Sequence, residues 1–273
     1  MWIRMPEKDK IRTGNGDIKG KMFIKSKKTL IAAILILGFA AFLLIPGKFP
    51  DNPDLARGSN QAGNGKVLII FNPGGWGDTR IEDAQDFKHI MEGVQNSLKN
   101  ENVSSDVVTY MRTGDGFWSK LDGFKEQVLY FKNQSKILSG EIEKYLSENK
   151  EKKIILAGLS NGAAFINSTM EKLPRSIRDR VLVIEVGTPF WSNPPKLKNV
   201  LALDNGGKDA LSKGKIGDLA ASVAEMPFRW ANEKMTRKNV RFSQVIDIPG
   251  HQYDWNAISE TVNEFLKNNG AYN

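Results

Sequence analysis

Short apolar runs alternate with longer amphipathic stretches from about residue 66 to the end of the chain. Runs such as Val67–Phe71 and Ile154–Ala157 are typical of buried parallel strands, whereas apolar residues within 87–98 recur at helical spacing. The pattern predicts strands at 67–72, 105–111, 153–158, 180–187, 199–204 and 241–248, and helices at 80–99, 124–148, 162–172, 215–235 and 254–268. Because the two types alternate, the predicted fold class is α/β with a mostly parallel sheet.

The N-terminal part of the chain has a different pattern. Thr29–Ile45 is a run of 17 residues without a charge, at the short end of the length needed for a transmembrane helix. Residues 1–28 hold nine basic and three acidic residues, and Lys27 and Lys28 adjoin the apolar run. By the positive-inside rule, the N-terminus is predicted to be cytoplasmic and the remainder extracytoplasmic. A cleaved signal peptide is the alternative, although the basic lead is long for one.

These patterns predict four segments. Residues 1–28 form a basic cytoplasmic tail, 29–45 a single transmembrane anchor, 46–65 a linker rich in Pro, Gly and Asn, and 66–273 one folded domain. The net charge is +8, of which the tail contributes +6, so the folded domain lacks the basic excess expected of a nucleic-acid-binding surface. With no cysteine in the chain, a thiol nucleophile, thiolate metal ligands and Fe–S clusters are excluded.

One motif within the folded domain points to chemistry. The segment Gly158-Leu159-Ser160-Asn161-Gly162 has the form G-x-S-x-G and lies between a predicted strand and a predicted helix. In a sharp strand-to-helix turn, glycines two residues before and after the serine avoid collisions with neighbouring backbone, and the serine hydroxyl is held outward. Ser160 is therefore predicted to be a nucleophile, and the N–H of Asn161 one donor to an oxyanion.

A serine nucleophile needs a base and an acid. The chain has two histidines: His89 is predicted to be a solvated surface residue of a helix, whereas His251 follows a predicted strand and is the candidate base. Asp209 and Asp204 lie between Ser160 and His251, after or at the end of another predicted strand. Asp209 is the favoured acid; Asp204 is the alternative and otherwise braces the turn.

The glycine-rich segment after the first strand of the domain is the candidate for the second oxyanion donor. In "FNPGGWGDT" the backbone at Gly74 and Gly75 can approach a substrate closely, and Gly75 is the predicted donor. The segment lacks both G-x-G-x-x-G and a P-loop Lys-Ser/Thr pair, so a nucleotide-binding loop is not predicted.

Taken in order, "FNPGGWG", "GLSNGAAF", "NGGKDAL" and "GHQYDW" resemble an α/β-hydrolase fold serine hydrolase over most of residues 66–273, closest to cutinase-like and class 3 lipase-like members. Asn72-Pro73 stands where many members have His-Gly, which leaves Gly75 and Trp76 as alternative donors. The resemblance implies a three-layer α/β-hydrolase sandwich and an esterase or lipase with a Ser160, Asp209 and His251 triad, an acyl-enzyme, and no metal or organic cofactor.

The substrate implied is a small-molecule or lipid ester. Five aromatic residues in or beyond loops that follow strands are candidates for the rim of an apolar acyl pocket, with loop packing as the alternative: Trp76, Phe117, Trp118, Phe190 and Trp191. Two other functions stay open at this point: a membrane-tethered binding domain with an inactive site, and a peptidase or acyltransferase that uses the same triad.

Overall fold

The structure is a computed structural model that describes residues 27–45, 47, 66–114, 116–192, 194–236 and 247–272. The chain divides into two units, residues 1–46 and 47–273. In the first, helix α1 spans Lys27–Leu44, and its apolar side chains, such as Leu35 and Leu37, are exposed. Within the described residues, no helix combines the length and apolarity required to cross a bilayer.

A parallel sheet of five strands forms the centre of the second unit. The strands are β1 (Val67–Asn72), β2 (Ser105–Thr109), β3 (Lys153–Leu159), β4 (Val181–Val186) and β5 (Val200–Leu203). Their order across the sheet is β2-β1-β3-β4-β5, and every neighbouring pair is parallel. All carboxyl ends therefore lie at one edge, with β3 in the middle, which is where ligands bind in open α/β sheets.

Helices cover both faces of this sheet. Their bounds are α2 (Gln85–Asn100), α3 (Phe117–Val128), α4 (Lys132–Glu148), α5 (Asn161–Lys172), α6 (Arg175–Arg178), α7 (Ala210–Lys213), α8 (Ile216–Thr236) and α9 (Trp255–Asn268), with a 3-10 turn at Ile81–Asp83. Alternate side chains of the strands pack into two separate cores: Ile69 and Ile155 meet α2 and α9, while Ile70 and Leu156 meet α4 and α5. This arrangement confirms the predicted three-layer α/β architecture.

The predicted elements differ from the observed ones mainly between residues 117 and 148. The prediction of a single helix at 124–148 was wrong. The segment forms two helices, α3 from Phe117 to Val128 and α4 from Lys132 to Glu148. The break lies at Tyr130 and Phe131, whose φ angles are 52° and 56°. Phe131 is buried and packs edge-on against Phe165 of α5, so burial of this ring in the core stabilises a backbone conformation that side chains disfavour.

Other boundaries moved less. The predicted strand 105–111 ends at Thr109, and the predicted helix 80–99 is a 3-10 turn followed by α2. The predicted strand 241–248 lies largely outside the described residues, as does most of the predicted linker 46–65.

Candidate active site

Ser160 occupies a strained turn between β3 and α5. Its φ and ψ angles are 52° and −121°, a combination that residues with a side chain rarely adopt. The turn is held by the N–H of Ser160, which donates to the carbonyl of Val186 at the end of β4 over 2.8 Å. A Cβ at Gly162 would collide with the carbonyls of Asn72 and Pro73. The glycine two positions after the serine is thus required by close backbone approach, as the motif predicts.

Asp209 and His251 form a hydrogen-bonded pair. Asp209 Oδ2 lies 2.8 Å from His251 Nδ1, and the carboxylate is fully buried. The other oxygen, Oδ1, accepts from the N–H groups of Leu211 and Ser212 and caps the short helix α7. Together with the hydroxyl of Tyr253, four donors therefore fix the direction of the carboxylate, and through it the orientation of the imidazole.

The electrostatics of the pair favour an ionised acid. Burial would raise the pKa of Asp209, but the hydrogen bonds from His251 and Tyr253 outweigh it, and the pKa is lowered from its ordinary value. Tyr253 donates its hydroxyl to Asp209 Oδ2 over 2.6 Å, and burial together with this carboxylate raises the pKa of the Tyr253 hydroxyl. Tyr253 therefore stays a neutral donor to the acid.

Asp204 has a different environment. Its carboxylate lies at the surface, pairs with Lys213 Nζ at 2.6 Å, and accepts from the N–H of Gly207. The hydrogen bond from Lys213 is the main reason that the pKa of Asp204 is lowered. The structure thus brings Asp209, rather than Asp204, into contact with His251, and Asp204 braces the turn that carries Asp209.

The end of β4 connects the serine to the Asp–His pair. Val186 accepts the N–H of Ser160, and the next residue, Gly187, has a φ angle of 63°. A Cβ on Gly187 would collide with the imidazole of His251 and approach Asp209 Oδ2 within 2.9 Å. Ser160 therefore contacts Val186 and His251 lies beside the adjacent Gly187, although within the described part of the chain no hydrogen bond joins the side chains of Ser160 and His251.

His89 is not the solvated surface residue that the sequence predicted. Its imidazole is half-buried, and Nε2 lies 2.7 Å from the carbonyl of Tyr253. Tyr253 also donates its hydroxyl to Asp209, so His89 supports the loop that carries His251. The helical pattern around His89 does not predict this contact, because its partner lies 164 residues away in the chain.

The predicted oxyanion donors lie in the segments that follow β1 and β3. The N–H groups of Gly74, Gly75 and Trp76 donate to no acceptor within the described residues. Asn161 begins α5, where N–H groups have no intrahelical acceptor and the helix dipole favours negative charge. A Cβ at Gly74 would lie 3.5 Å from Ser160 Cβ, so this loop passes beside the serine.

Arg112 is a site residue that the sequence reasoning missed. It follows β2, is only 2% exposed, and its guanidinium reaches the carbonyls of Pro73, Gly75 and Asn161. Burial lowers its pKa to about 9, partly offset by Asp78, so the side chain remains charged at neutral pH. The signal available in the sequence was an arginine directly beyond a strand at the predicted ligand-binding edge.

The aromatic candidates are mostly exposed rather than packed under loops. Phe117 and Trp118 open α3 and are 71% and 75% exposed, and their rings meet edge-on. Phe190 and Trp191 follow β4 and form a second edge-on pair. Both pairs lie beyond carboxyl ends of strands, on either side of β3 in the sheet order.

No cluster of three or more metal-ligating side chains occurs within the residues that the structure describes. A groove of about 580 Å³ lies beside the amino end of β2 and is lined by residues such as Glu92, Lys99 and Ser104. It contains none of the candidate catalytic residues, which lie at the opposite ends of the strands.

Comparisons with known proteins give structural matches only. No family model and no curated protein sequence matches the chain. Among solved structures, the chain is similar to a cutinase from Trichoderma reesei in complex with a phosphonate inhibitor, with 14% identity, a TM-score of 0.44, and coverage of 86% of this chain and 91% of the cutinase. An acetylxylan esterase matches at 13% identity and a TM-score of 0.38, over 51% of this chain and 82% of its own.

An extracellular α/β-hydrolase from a Paenibacillus species is also similar, at 13% identity and a TM-score of 0.26, over 68% of each chain. All of these matches have identities of 13–14% and TM-scores below 0.5. At such low identity and TM-scores, the matches carry no information about activity.

Proposed function

We propose that residues 66–273 form a serine hydrolase that cleaves a carboxylic ester through Ser160, Asp209 and His251. The observation that carries the proposal is the buried Asp209–His251 hydrogen bond of 2.8 Å, formed at the strand end that also holds the strained turn of Ser160. Three separate segments of the chain supply Ser160, Asp209 and His251.

In the proposed mechanism, each proton has a defined donor and acceptor. With its Nδ1–H donated to the ionised Asp209, a neutral His251 has a free lone pair on Nε2. Nε2 removes the proton of Ser160 Oγ as that oxygen attacks the ester carbonyl carbon. The carbonyl oxygen becomes an oxyanion, to which the N–H groups of Gly75 and Asn161 donate, or Trp76 in place of Gly75.

Collapse of this tetrahedral intermediate breaks the bond to the alcohol oxygen, which takes the proton from His251 and leaves. The acyl group then remains on Ser160 as an ester. Water, deprotonated by His251, attacks the acyl-enzyme and releases the carboxylic acid, and Ser160 recovers its proton. The proton of Ser160 thus leaves with the alcohol, and a proton of the attacking water, carried by His251, replaces it. The cycle consumes only the ester and water.

The exposed aromatic pairs indicate the kind of ester. Phe117–Trp118 and Phe190–Trp191 present apolar surface beyond the carboxyl ends of the strands, and apolar surface beside such a site favours an acyl chain or a lipid. The proposed substrates are therefore small-molecule or lipid esters with an apolar acyl group.

A serine-directed fluorophosphonate probe tests the hydrolase proposal. A phosphonylated Ser160 is expected in the folded protein, because the probe reacts only with a serine that an adjacent base activates. A binding domain with an inactive site would stay unlabelled, whereas a peptidase or acyltransferase would be labelled but would prefer an amide substrate or a non-water acceptor.

We also propose that residues 29–45 anchor the protein in a membrane, with residues 1–28 in the cytoplasm and the hydrolase domain outside it. The proposal rests on the sequence, namely the uncharged 17-residue run and the lysines before it. The described helix α1 does not by itself combine the length and apolarity needed to cross a bilayer.

If the anchor is retained, the protein expressed from the full sequence is expected to stay with the membrane pellet after a carbonate wash. A variant lacking residues 1–45 is the matched control and should be released. Recovery of the full-length expression product in solution, with a new N-terminus near Pro46, would show cleavage of a signal peptide instead.

A further inference from the structure

We propose that Arg112 is a positioning residue, assisted by Gln127, that fixes the Pro73–Gly75 loop against the start of α5 so that both oxyanion donors point at one oxygen. The inference rests on the proposed hydrolase function and names a part of the site that the triad does not include.

The contacts of the guanidinium connect the two donor segments. Nη2 donates to the carbonyl of Pro73 at 2.5 Å and lies 3.4 Å from that of Gly75, while Nη1 donates to the carbonyl of Asn161 at 3.3 Å. Gly75 and Asn161 are the two residues whose N–H groups are the proposed donors. One planar, rigid side chain thus contacts both, which the flexible ammonium of a lysine does not reproduce.

The carbonyl of Gly75 is a point of convergence. Besides Arg112, it accepts from Gln127 Nε2 of α3 and from Asn161 Nδ2, each at 3.3 Å. In a trans peptide, the carbonyl of one residue and the N–H of the next point in opposite directions. Holding the carbonyls of Pro73 and Gly75 therefore fixes the peptide units on both sides of the one that carries the Gly75 N–H.

This loop needs such external support. Gly74 and Gly75 are adjacent glycines, Gly75 has a φ angle of 54°, and a Cβ at Gly75 would meet no neighbouring atom. Glycine backbones are the most conformationally free, and the loop itself supplies a turn hydrogen bond, from the N–H of Gly77 to the carbonyl of Gly74 at 2.9 Å. The hydrogen bonds from Arg112, Gln127 and Asn161 restrain the peptide units on either side of that turn bond, those of the Pro73 and Gly75 carbonyls.

Arg112 is itself held rigidly. Its backbone N–H donates to the carbonyl of Gly77 at 2.8 Å, and its backbone carbonyl accepts from Gln134 Nε2 at 2.6 Å. The guanidinium carbon lies 5.1 Å and 5.7 Å from the ring centres of Phe131 and Phe165. The nearby Asp78 pairs with Lys120, so the buried cation is satisfied mainly by backbone carbonyls and ring faces.

Arg180 provides a matched control. Its guanidinium also donates to backbone carbonyls, those of Leu146, Asn149, Lys150 and Lys152, at 2.6 to 2.8 Å. Arg180 directly precedes β4, and therefore lies at the amino edge of the sheet, away from Ser160. Loss of backbone contacts at Arg180 affects stability in the same way as at Arg112, without reaching the oxyanion donors.

The test compares Arg112→Lys, Arg112→Gln and Arg180→Lys in the complete chain, with a p-nitrophenyl ester as substrate. Both Arg112 variants are expected to lose about 100-fold in kcat with KM changed less than about threefold, because misplaced donors lower transition-state binding. Binding of a trifluoromethyl ketone, whose adduct carries an oxyanion, should weaken similarly. The apparent pKa of the pH–rate profile should stay at its wild-type value, since His251 is untouched. Arg180→Lys should lower Tm and retain kcat.

If neither Arg112 variant folds, Gln127→Ala tests the same inference. It removes a neutral, half-buried donor to the Gly75 carbonyl. A kcat about fivefold lower at unchanged KM is expected. The inference would be overturned if the folded Arg112 variants kept kcat within threefold of wild type. If no Arg112 variant folds, an unchanged kcat in Gln127→Ala would overturn it. A fully active Ser160→Ala would instead overturn the proposed function, so the two failures are distinguishable.

Discussion

Replacement of Ser160 by alanine is expected to lower ester hydrolysis by about 10⁴-fold or more and to leave stability nearly unchanged. The change removes the nucleophile, and no other side chain of the site supplies one in its place. Within the described residues, the hydroxyl of Ser160 makes no hydrogen bond, and the residue holds a strained φ of 52°, so its loss removes little packing or bonding.

Initial rates on a p-nitrophenyl ester and thermal unfolding of the same preparations check this result. Ser176→Ala is a suitable control, because Ser176 lies exposed on α6, beyond the helix that follows Ser160. If Ser160→Ala hydrolyses the ester within tenfold of the wild-type rate, Ser160 is not the nucleophile.

Asp209→Asn is expected to lower kcat by several powers of ten, while Asp204→Asn keeps nearly full activity. An amide at position 209 can donate to His251 Nδ1, which favours the tautomer with the proton on Nε2, and this nitrogen then has no lone pair for Ser160. At position 204 the change removes an exposed ion pair with Lys213, which is worth about 0–1 kcal/mol.

Steady-state kinetics of the two purified variants, with circular dichroism to establish folding, measure the difference. The reverse ranking, with a folded but inactive Asp204→Asn and a normal Asp209→Asn, would transfer the acid role to Asp204. The assignment of Ser160 and His251 would survive that result.

The parts of the fold that sequence predicts well are those with a local cause. The central strands β1, β3 and β4 are continuous apolar runs, and their predicted bounds hold within one residue at each end. The turn of Ser160 is equally local, because two glycines at fixed spacing are a direct consequence of close backbone approach. Asp209 could be selected because it follows β5, and His251 because it follows the predicted strand 241–248, which lies largely outside the described residues.

The parts that sequence did not predict depend on contacts between distant residues. Arg112 acts on carbonyl groups 37 to 49 residues away, and backbone carbonyls carry no signal in the identity of the residue. His89 meets the loop of His251 through another carbonyl. The break at Tyr130 and Phe131 arises because Phe131 enters the core, which overrides the helical spacing of the surrounding residues.

The central claim is that the fold activates Ser160, and mass spectrometry after reaction with a fluorophosphonate probe measures this most directly. The predicted result is one phosphonyl adduct, located on Ser160 by peptide mapping. It should form rapidly in the folded protein and more slowly in Asp209→Asn. It should not form in Ser160→Ala or in protein that is denatured before the probe is added. A folded wild-type protein that stays unlabelled, or an adduct on any serine other than Ser160, would contradict the account.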